Sequence, residues 1–411
     1  MILEELNKVD IVLLSALAAM FVAQVYWYSR YLAAPARKLR KGTKDKVQST
    51  KEDECPGVTV VLCAHNEREN LSNYLQALLT QDYPAYEVIV VDDGSEDDTR
   101  AVIESYMTRD ERLHMTFVPY GARVGSTKKL ALTLAAKAAQ YDYLLLTDAD
   151  CCPESDQWIR RMMEGFGEVQ STKDIVLGFS PYFETEGHVN RLVRFDTLFN
   201  GLHYLGAALC GHPYMGVGRN LAYRKSMFFE SGGFTHLMTN RAGDDDLFVN
   251  HVATRENTAV VLSRDSYTWS PAKESLREWW QQKRRHLSVS PAYREETKIR
   301  LALEPLSRGL FYALVVGIIV YQSSLLTDQI SDLTTNDSLL TTLLSVVLWP
   351  LYMAVGLFLI RWILQTAILN VSARRMGLRR FNMFTVLWFD IVLPLINLWM
   401  LIVPKKDNKK W

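Results

Sequence analysis

Residues 11–29, IVLLSALAAMFVAQVYWYS, carry no charged side chain and as a helix are long enough to cross a hydrocarbon layer of roughly 30 Å. Such a segment leaves little choice of structure, because in lipid every backbone N–H and C=O must be satisfied within the segment itself. Glu4, Glu5 and Asp10 precede it, unlike the basic start of a cleaved secretory leader. Arg30, Arg37, Lys38, Arg40 and Lys41 follow it. Basic residues stay on the cytoplasmic side, so the N-terminus is expected outside and the chain after residue 30 in the cytoplasm. Tyr26, Trp27 and Tyr28 are expected at the membrane interface.

Three more apolar stretches lie at 309–326, 339–371 and 385–403. The middle one exceeds a simple span of about 20 residues and contains Pro350 and Arg361. Asp328, Asp332 and Asp337 precede it, and Arg374, Arg375, Arg379 and Arg380 follow, which puts its ends on opposite sides. Single crossings throughout would leave the tail KKDNKKW outside. The expectation is therefore that 339–371 divides into two segments or that the stretch holding Asp390 and Pro394 is re-entrant. The chain divides into an N-terminal transmembrane anchor (1–34), a charged linker (35–55), a cytoplasmic domain (56–290) and a C-terminal transmembrane region with a basic tail (291–411). This describes a multi-pass integral protein of the plasma or inner membrane, in contact with membrane lipids.

The 46 basic and 46 acidic side chains cancel, so the basic excess of a nucleic-acid binder is missing. Cysteines 55, 63, 151, 152 and 210 have no metal-ligand spacing and fit a reduced compartment.

In the middle of the chain, short apolar runs alternate with helical patterns. VTVVLCA (58–64), YEVIVV (86–91), HMTFV (114–118) and YLLLT (143–147) read as strands. ENLSNYLQALLTQ, EDDTRAVIESYM and KKLALTLAAKAAQ have apolar residues at helical spacing. Strands apolar throughout and separated by helices imply an α/β domain, a mostly parallel sheet with helices on both faces. Ligands of such sheets bind at the carboxyl ends of the strands, and those ends carry the informative residues.

AHNEREN follows the first strand and DDGSEDDT the second. Ser95 and Asp98 read as a capping box for the next helix. That leaves Asp92 and Asp93, whose carboxylates accept hydrogen bonds as a ribose hydroxyl or base N–H requires. RVGSTKK offers a glycine and two lysines at a helix start, where backbone N–H groups and Lys128 or Lys129 favour phosphate, although the spacing is not that of a P-loop. The fourth strand runs into Asp148 and Asp150, which in an extended chain face one way while Ala149 faces the other. Two adjoining carboxylates repel unless a cation lies between them or one is protonated. Hard oxygen ligands in an open site suit Mg2+ or Mn2+, with water and a diphosphate completing the shell. A solvated turn is the plainer explanation of such a pair.

Downstream, GVGRNLAYRKSMFFESGGF (216–234) sets glycines and an asparagine before a short strand, where backbone can approach a ligand. Asp244, Asp245 and Asp246 precede an apolar run. Negative charge at a helix start explains one of them, and a general base for a hydroxyl is the functional reading. SLREWWQQKRRHLSVS (275–290) fits either an amphipathic segment lying on the membrane or an arginine that grips a diphosphate.

Taken in order, AHNE, VVDDGSEDDT, TDAD, GVGRNLAYRKSMF…GGF, GDDDLF and QQKRRH resemble the family 2 glycosyltransferases over residues 56–290. The flanking membrane segments resemble those of hyaluronan and cellulose synthases. The resemblance implies an inverting enzyme of GT-A fold that uses a nucleotide-sugar donor, usually a UDP-sugar, and a lipid-linked or glycan acceptor. It puts Asn66, Glu67, Asp92 and Asp93 at the base and ribose, Lys128 near the nucleotide, and the divalent metal on Asp148 and Asp150. Asp245 is the expected base, with Asp244 the alternative if the alignment slips by one. The QxxRW element falls on Gln282 and Arg285, or on Gln281 and Arg284, and in the first register His286 replaces the tryptophan. That tryptophan helps processive synthases hold the acceptor, so single transfer is expected. A processive polysaccharide synthase and an inactive membrane-anchored nucleotide-sugar-binding protein are the alternatives. A dehydrogenase is disfavoured because no GxGxxG follows the first strand.

Overall fold

The computed structural model describes residues 8–42, 55–119, 126–167, 172–238, 240, 242–332 and 337–402. Most of the expected linker (43–54), Gly125 of the RVGSTKK stretch and the lysine-rich tail (403–411) lie outside these residues.

The chain begins with α1 (Lys8–Trp27), a π-helical turn (Tyr28–Leu32) and α2 (Ala34–Gly42). The charged stretch after the anchor thus starts as a helix. Pro35 occupies its first turn, where a missing N–H is harmless. Ala34 and Ala36 are buried, and Leu39 packs on the core.

The middle continues as β1 (Val58–Ala64), α3 (Arg68–Leu79), β2 (Tyr86–Asp92), α4 (Thr99–Met107), β3 (Leu113–Phe117), α5 (Thr127–Ala138) and β4 (Tyr143–Leu146). Next come β5 (Cys152–Pro153), α6 (Trp158–Glu164), β6 (Ile175–Leu177), α7 (His188–Leu209), β7 (Leu221–Arg224) and α8 (Lys225–Glu230). α9 (Asp246–Val252), β8 (Thr258–Val260), β9 (Thr268–Trp269) and α10 (Leu276–Leu287) complete it. α11 (Glu295–Asp332), α12 (Asp337–Arg375) and α13 (Met383–Ile402) end the described chain.

The main sheet has seven strands in the order β3-β2-β1-β4-β7-β6-β8. β1 is parallel to β2 and β4, and β2 to β3, as the buried runs predict. β7 enters antiparallel to both of its neighbours, which the sequence pattern did not anticipate. Val58, Val60 and Leu62 of β1 pack with α3 and α6 on one face, while Val61 joins α5, α7 and α9 on the other. The chain winds outward from β1 to β3 and then returns to β4 on β1's other side. That reversal opens a crevice at the carboxyl ends of β1 and β4.

Among the described residues four helices are long and apolar enough to cross a membrane: Lys8–Leu32, Glu295–Thr327, Leu348–Arg375 and Met383–Ile402. The expected break is found in neither place, for α12 passes through Pro350 and α13 through Pro394 as single helices. Asp390 stays within α13 because other helices satisfy it. It accepts from Arg361 Nη1 (2.9 Å), Arg308 Nη1 (2.9 Å), Tyr312 OH (2.6 Å) and Gln365 Nε2 (2.6 Å). Arg361 Nη2 reaches Tyr28 OH (2.6 Å) and Gln24 Oε1 (3.1 Å), and Arg308 Nη2 reaches Glu304 (2.7 Å). Two guanidiniums and two carboxylates cancel, and the cluster draws on α1, α11, α12 and α13. Trp27 and Tyr28 are buried against the rest of the protein, whereas Tyr26 is exposed.

Removing one partner of a buried ion pair costs about 3–5 kcal/mol, far more than removing both. Arg361→Met should therefore destabilise the detergent-solubilised protein more than the Arg361→Met/Asp390→Asn double variant, which restores neutrality. Equal unfolding midpoints for the two in a denaturant titration would remove this cluster as the tie between the helices.

Candidate active site

The crevice collects its side chains from strand ends. Behind β1 come Asn66 and Glu67. Asn66 has φ +56°, a left-handed conformation that asparagine tolerates better than most residues. Its N–H donates to Ser95 Oγ (3.0 Å) and its Oδ1 accepts from Glu96 N–H (2.7 Å), stapling the β1 loop to the β2 loop. Glu67 N–H donates to Thr99 Oγ1 (2.8 Å). These bonds correct the expected capping box: Ser95 serves the β1 loop, and α4 is capped at Asp98 without a side-chain hydrogen bond. Asp92 closes the β2 turn by accepting from Ser95 N–H (2.9 Å). Asp93 binds the β1 end through its backbone, donating to Ala64 O (2.8 Å) and accepting from His65 Nδ1 (3.0 Å).

β4 delivers Asp148 and Asp150. The antiparallel β7 pairs Leu221 with Leu146, so the residues before β7 lie beside those after β4. This places Gly218 and Arg219 at the β4 carboxyl end. Gly218 N–H donates to Asp245 Oδ2 (2.8 Å), and Asp245 Oδ1 caps α9 by accepting from Asp246 N–H (2.7 Å). Lys128, in the first turn of α5, lies 2.9 Å from Asp148 and 3.3 Å from Asp244. One ammonium thus joins the β4 carboxylates to the α9 carboxylates. Lys129 does structural work instead, since its buried ammonium donates to the carbonyls of Leu237, Asn240 and Ala242 at 2.6–2.8 Å and holds the loop before Asp244.

Arg219 was not singled out from the sequence. Its guanidinium lies 4.2 Å from the centre of the Tyr182 ring and donates to Ser180 O (3.1 Å) and to Ser270 Oγ. Tyr182 OH accepts from Gln282 Nε2 (3.0 Å), which brings α10 to the same wall. Arg285, almost one turn beyond Gln282, acts electrostatically on Asp148. Arg284 is about 100° around the helix from Arg285, so the geometry favours the register that begins at Gln282. Burial, together with the neighbouring Arg285 and Arg219 charges, lowers the His286 imidazole to about 4. Trp279 is buried, which removes the paired tryptophans as a membrane-facing stripe.

The charges divide the carboxylates. Burial pushes Asp148 up, but Lys128 outweighs it and leaves the group below its ordinary range. Burial and the charge of Asp148 raise Asp150. Burial raises Glu67, and Asp150 and Asp148 add to the shift. Burial and Asp244 raise Asp245, which makes it a stronger base than an ordinary aspartate. Among the described residues no three carboxylate, histidine or cysteine side chains form a complete metal site. Asp148 and Asp150 offer two oxygen-bearing ligands whose mutual repulsion a divalent cation relieves, and the residues fit such an ion with substrate phosphates in the remaining positions.

Residues 59–232 match the family model described as Glycosyl transferase family 2. They form a glycosyltransferase family 2 domain. The glycosyltransferase AglE of Haloferax volcanii is 27% identical over 147 residues, 35% of this chain and 46% of its own length. The poly-beta-1,6-N-acetyl-D-glucosamine synthase of Staphylococcus epidermidis is 25% identical over 132 residues, 32% of this chain and 31% of its own. These matches span less than half of each relative. A mannosyltransferase from Pyrobaculum calidifontis, solved with GDP-Man and Mn2+, superposes with a TM-score of 0.51 at 18% identity, covering 90% of this chain and 98% of that one. The likeness shows a common fold, the GT-A arrangement.

Asp245's raised pKa has a consequence for stability. The folded state holds that proton more tightly than the unfolded chain, so this stabilising contribution is present at acid pH and is lost as pH rises through the folded pKa. Asp245→Asn keeps an oxygen acceptor for the N-cap and removes the charge. Its NH2 cannot accept the second backbone N–H, a cost at every pH, so its melting temperature relative to the wild type's should be higher at pH 7 than at pH 4. A gap that stays constant over this range in paired thermal scans would remove the assigned repulsion.

Proposed function

We propose that the protein is a membrane-bound inverting glycosyltransferase that moves a sugar from a nucleotide-diphospho-sugar to a hydroxyl of a lipid-linked or glycan acceptor. The observation that carries this reading is the Lys128 bridge, which joins the strand-end carboxylates Asp148 and Asp150 to the α9 pair Asp244 and Asp245 in one crevice. The domain is read as cytoplasmic because the basic residues after α1 and α12 lie at its side of the spans.

In this mechanism Asn66, Glu67, Asp92 and Asp93 receive the nucleoside end of the donor. Asp245, raised in basicity by burial and Asp244, takes the proton of the acceptor hydroxyl. The hydroxyl oxygen forms its bond to the anomeric carbon as the bond to the diphosphate oxygen breaks on the opposite side, which inverts the configuration. Negative charge then gathers on the departing nucleoside diphosphate. Arg219 and Arg285 face that charge, and fixed donors of this kind act most strongly where charge develops in the transition state. A Mg2+ or Mn2+ ion held by Asp148 and Asp150 would supply further neutralisation of the diphosphate. The mannosyltransferase of similar fold was solved with Mn2+ and a nucleotide sugar, which supports this reading.

His286 in the place of the family's tryptophan supports a single transfer and not processive synthesis. The acceptor is read as lipid-linked or membrane-proximal because the catalytic domain is built onto the candidate spans. An inactive donor-binding protein is disfavoured by the intact set of acidic groups.

The test incubates membranes containing the full chain with labelled nucleotide sugars and separates lipid, polymer and free sugar. Label should enter a single-addition product, and Asp148→Ala and Asp245→Asn should each abolish transfer, as should chelation of divalent metal. Arg219→Gln should lower kcat by about 100-fold, the usual effect of losing one oxyanion donor. Undiminished turnover in Asp245→Asn would overturn the assigned base, and label confined to long polymer would favour the processive alternative.

A further inference from the structure

A second cavity of about 190 Å³ lies away from the crevice, where the first and second candidate spans meet the soluble domain. Its lining includes Trp27 and Tyr31 at the end of the first span, His203 of α7, Arg255 after α9, and Arg294 and Arg300 around the start of α11. α11 has 38 residues and is about 57 Å long, so its first turns rise beyond a hydrocarbon layer of roughly 30 Å. The apolar run of this helix begins at residue 309, so the cavity lies beside the polar turns that precede it, on the domain side of the span.

Its chemistry is that of an anion receptor. Three arginines line it against the one carboxylate of Glu296, which is taken by Arg300 Nη2 at 2.7 Å. Arg300 Nη1, Trp27 Nε1 and His203 Nε2 are buried without a hydrogen-bond partner in the protein, and the Trp27 residue is 92% buried (relative exposure 8%). Buried polar atoms of native proteins are nearly always paired, so three such orphans around one cavity point to a ligand. Burial lowers His212, and Arg300 lowers it further; Glu296 opposes this, while Arg30 and Arg255 add to the lowering. Ile299, Leu303, Leu306 and Leu310 are exposed along one face of α11, an apolar track leading from beside Arg300 into the span.

We propose that this cavity binds a phosphate ester, the headgroup of an anionic phospholipid whose acyl chains run along α11. Guanidiniums match phosphate oxygens as forked donors, the indole N–H adds a single donor, and a basic pocket between spans on the domain side suits anionic headgroups. The site is separate from the sugar-transfer crevice. Asp245 caps the start of α9, whereas Ala253 and Arg255 follow its end, and seven helical residues span about 10 Å. The inference does not depend on the proposed reaction.

The test uses the full chain, purified in mild detergent and stripped of lipid, then offered phosphatidylglycerol, phosphatidylcholine or inorganic phosphate and read by native mass spectrometry and thermal shift. Wild type should retain phosphatidylglycerol at least fivefold more than phosphatidylcholine, whose choline cation the arginines repel. Arg255 is exposed, so Arg255→Gln should fold normally and lose most of that preference; Arg300→Gln should do the same. Stabilisation by millimolar inorganic phosphate with no preference for phosphatidylglycerol would assign the same site to a soluble phosphate ester. Equal retention of both lipids with no effect of phosphate, or phosphatidylglycerol binding unchanged in both variants, would overturn the proposal.

Discussion

One ammonium group holds the working end of this molecule together. Lys128 stands between Asp148, at the end of a central strand, and Asp244, at the start of α9. The two carboxylates come from chain positions almost a hundred residues apart, and without a cation between them their repulsion would push the two walls of the crevice apart. Lys129, one position further on, holds the backbone of the loop leading to Asp244. A single helical turn of α5 therefore sets both the charge balance of the site and the position of its candidate base. The residual strain is electrostatic. Burial and neighbouring carboxylates make Asp150, Glu67 and Asp245 all hold protons more firmly than free carboxyl groups.

The same economy of charge appears within the membrane helices. Arg361, Arg308, Asp390 and Glu304 would each be costly alone in a hydrocarbon environment, yet as a neutral cluster they tie helices that lipid would otherwise not drive together. The soluble domain is then seated on this bundle through α7. Gly206 lets that helix come so close to the end of the first span that a Cβ there would stand 2.2 Å from the Tyr31 carbonyl oxygen.

Much of the site was readable because its residues follow apolar runs. Val58–Ala64 and Tyr143–Leu146 are buried almost throughout, and buried parallel strands direct ligands to the residues after them. The positions of Asn66, Glu67, Asp92, Asp93, Asp148 and Asp150 at the ends of β1, β2 and β4 were legible in this way. Arg219 was not, because it precedes its strand. It reaches the crevice only since β7 runs antiparallel to β4, and strand direction leaves no mark on a short apolar run. Ser95 misled for a related reason: its spacing to Asp98 is that of a cap, but Asn66 across the crevice competes for its hydroxyl.

By itself, the order of apolar, helical and acidic segments determined that this chain would pair an α/β domain with helices long and apolar enough to cross a membrane, and which strand ends would carry carboxylates. Local pattern suffices there, because burial and strand alternation act on neighbouring residues. Only the tertiary structure decided that Lys128 bridges two acidic pairs, that Arg219 joins them, that α12 and α13 stay unbroken around Asp390, and that three arginines gather where two spans meet the domain. Each of these depends on side chains brought together from distant parts of the chain, where electrostatic energy is set by distance in space and sequence separation carries no information about it.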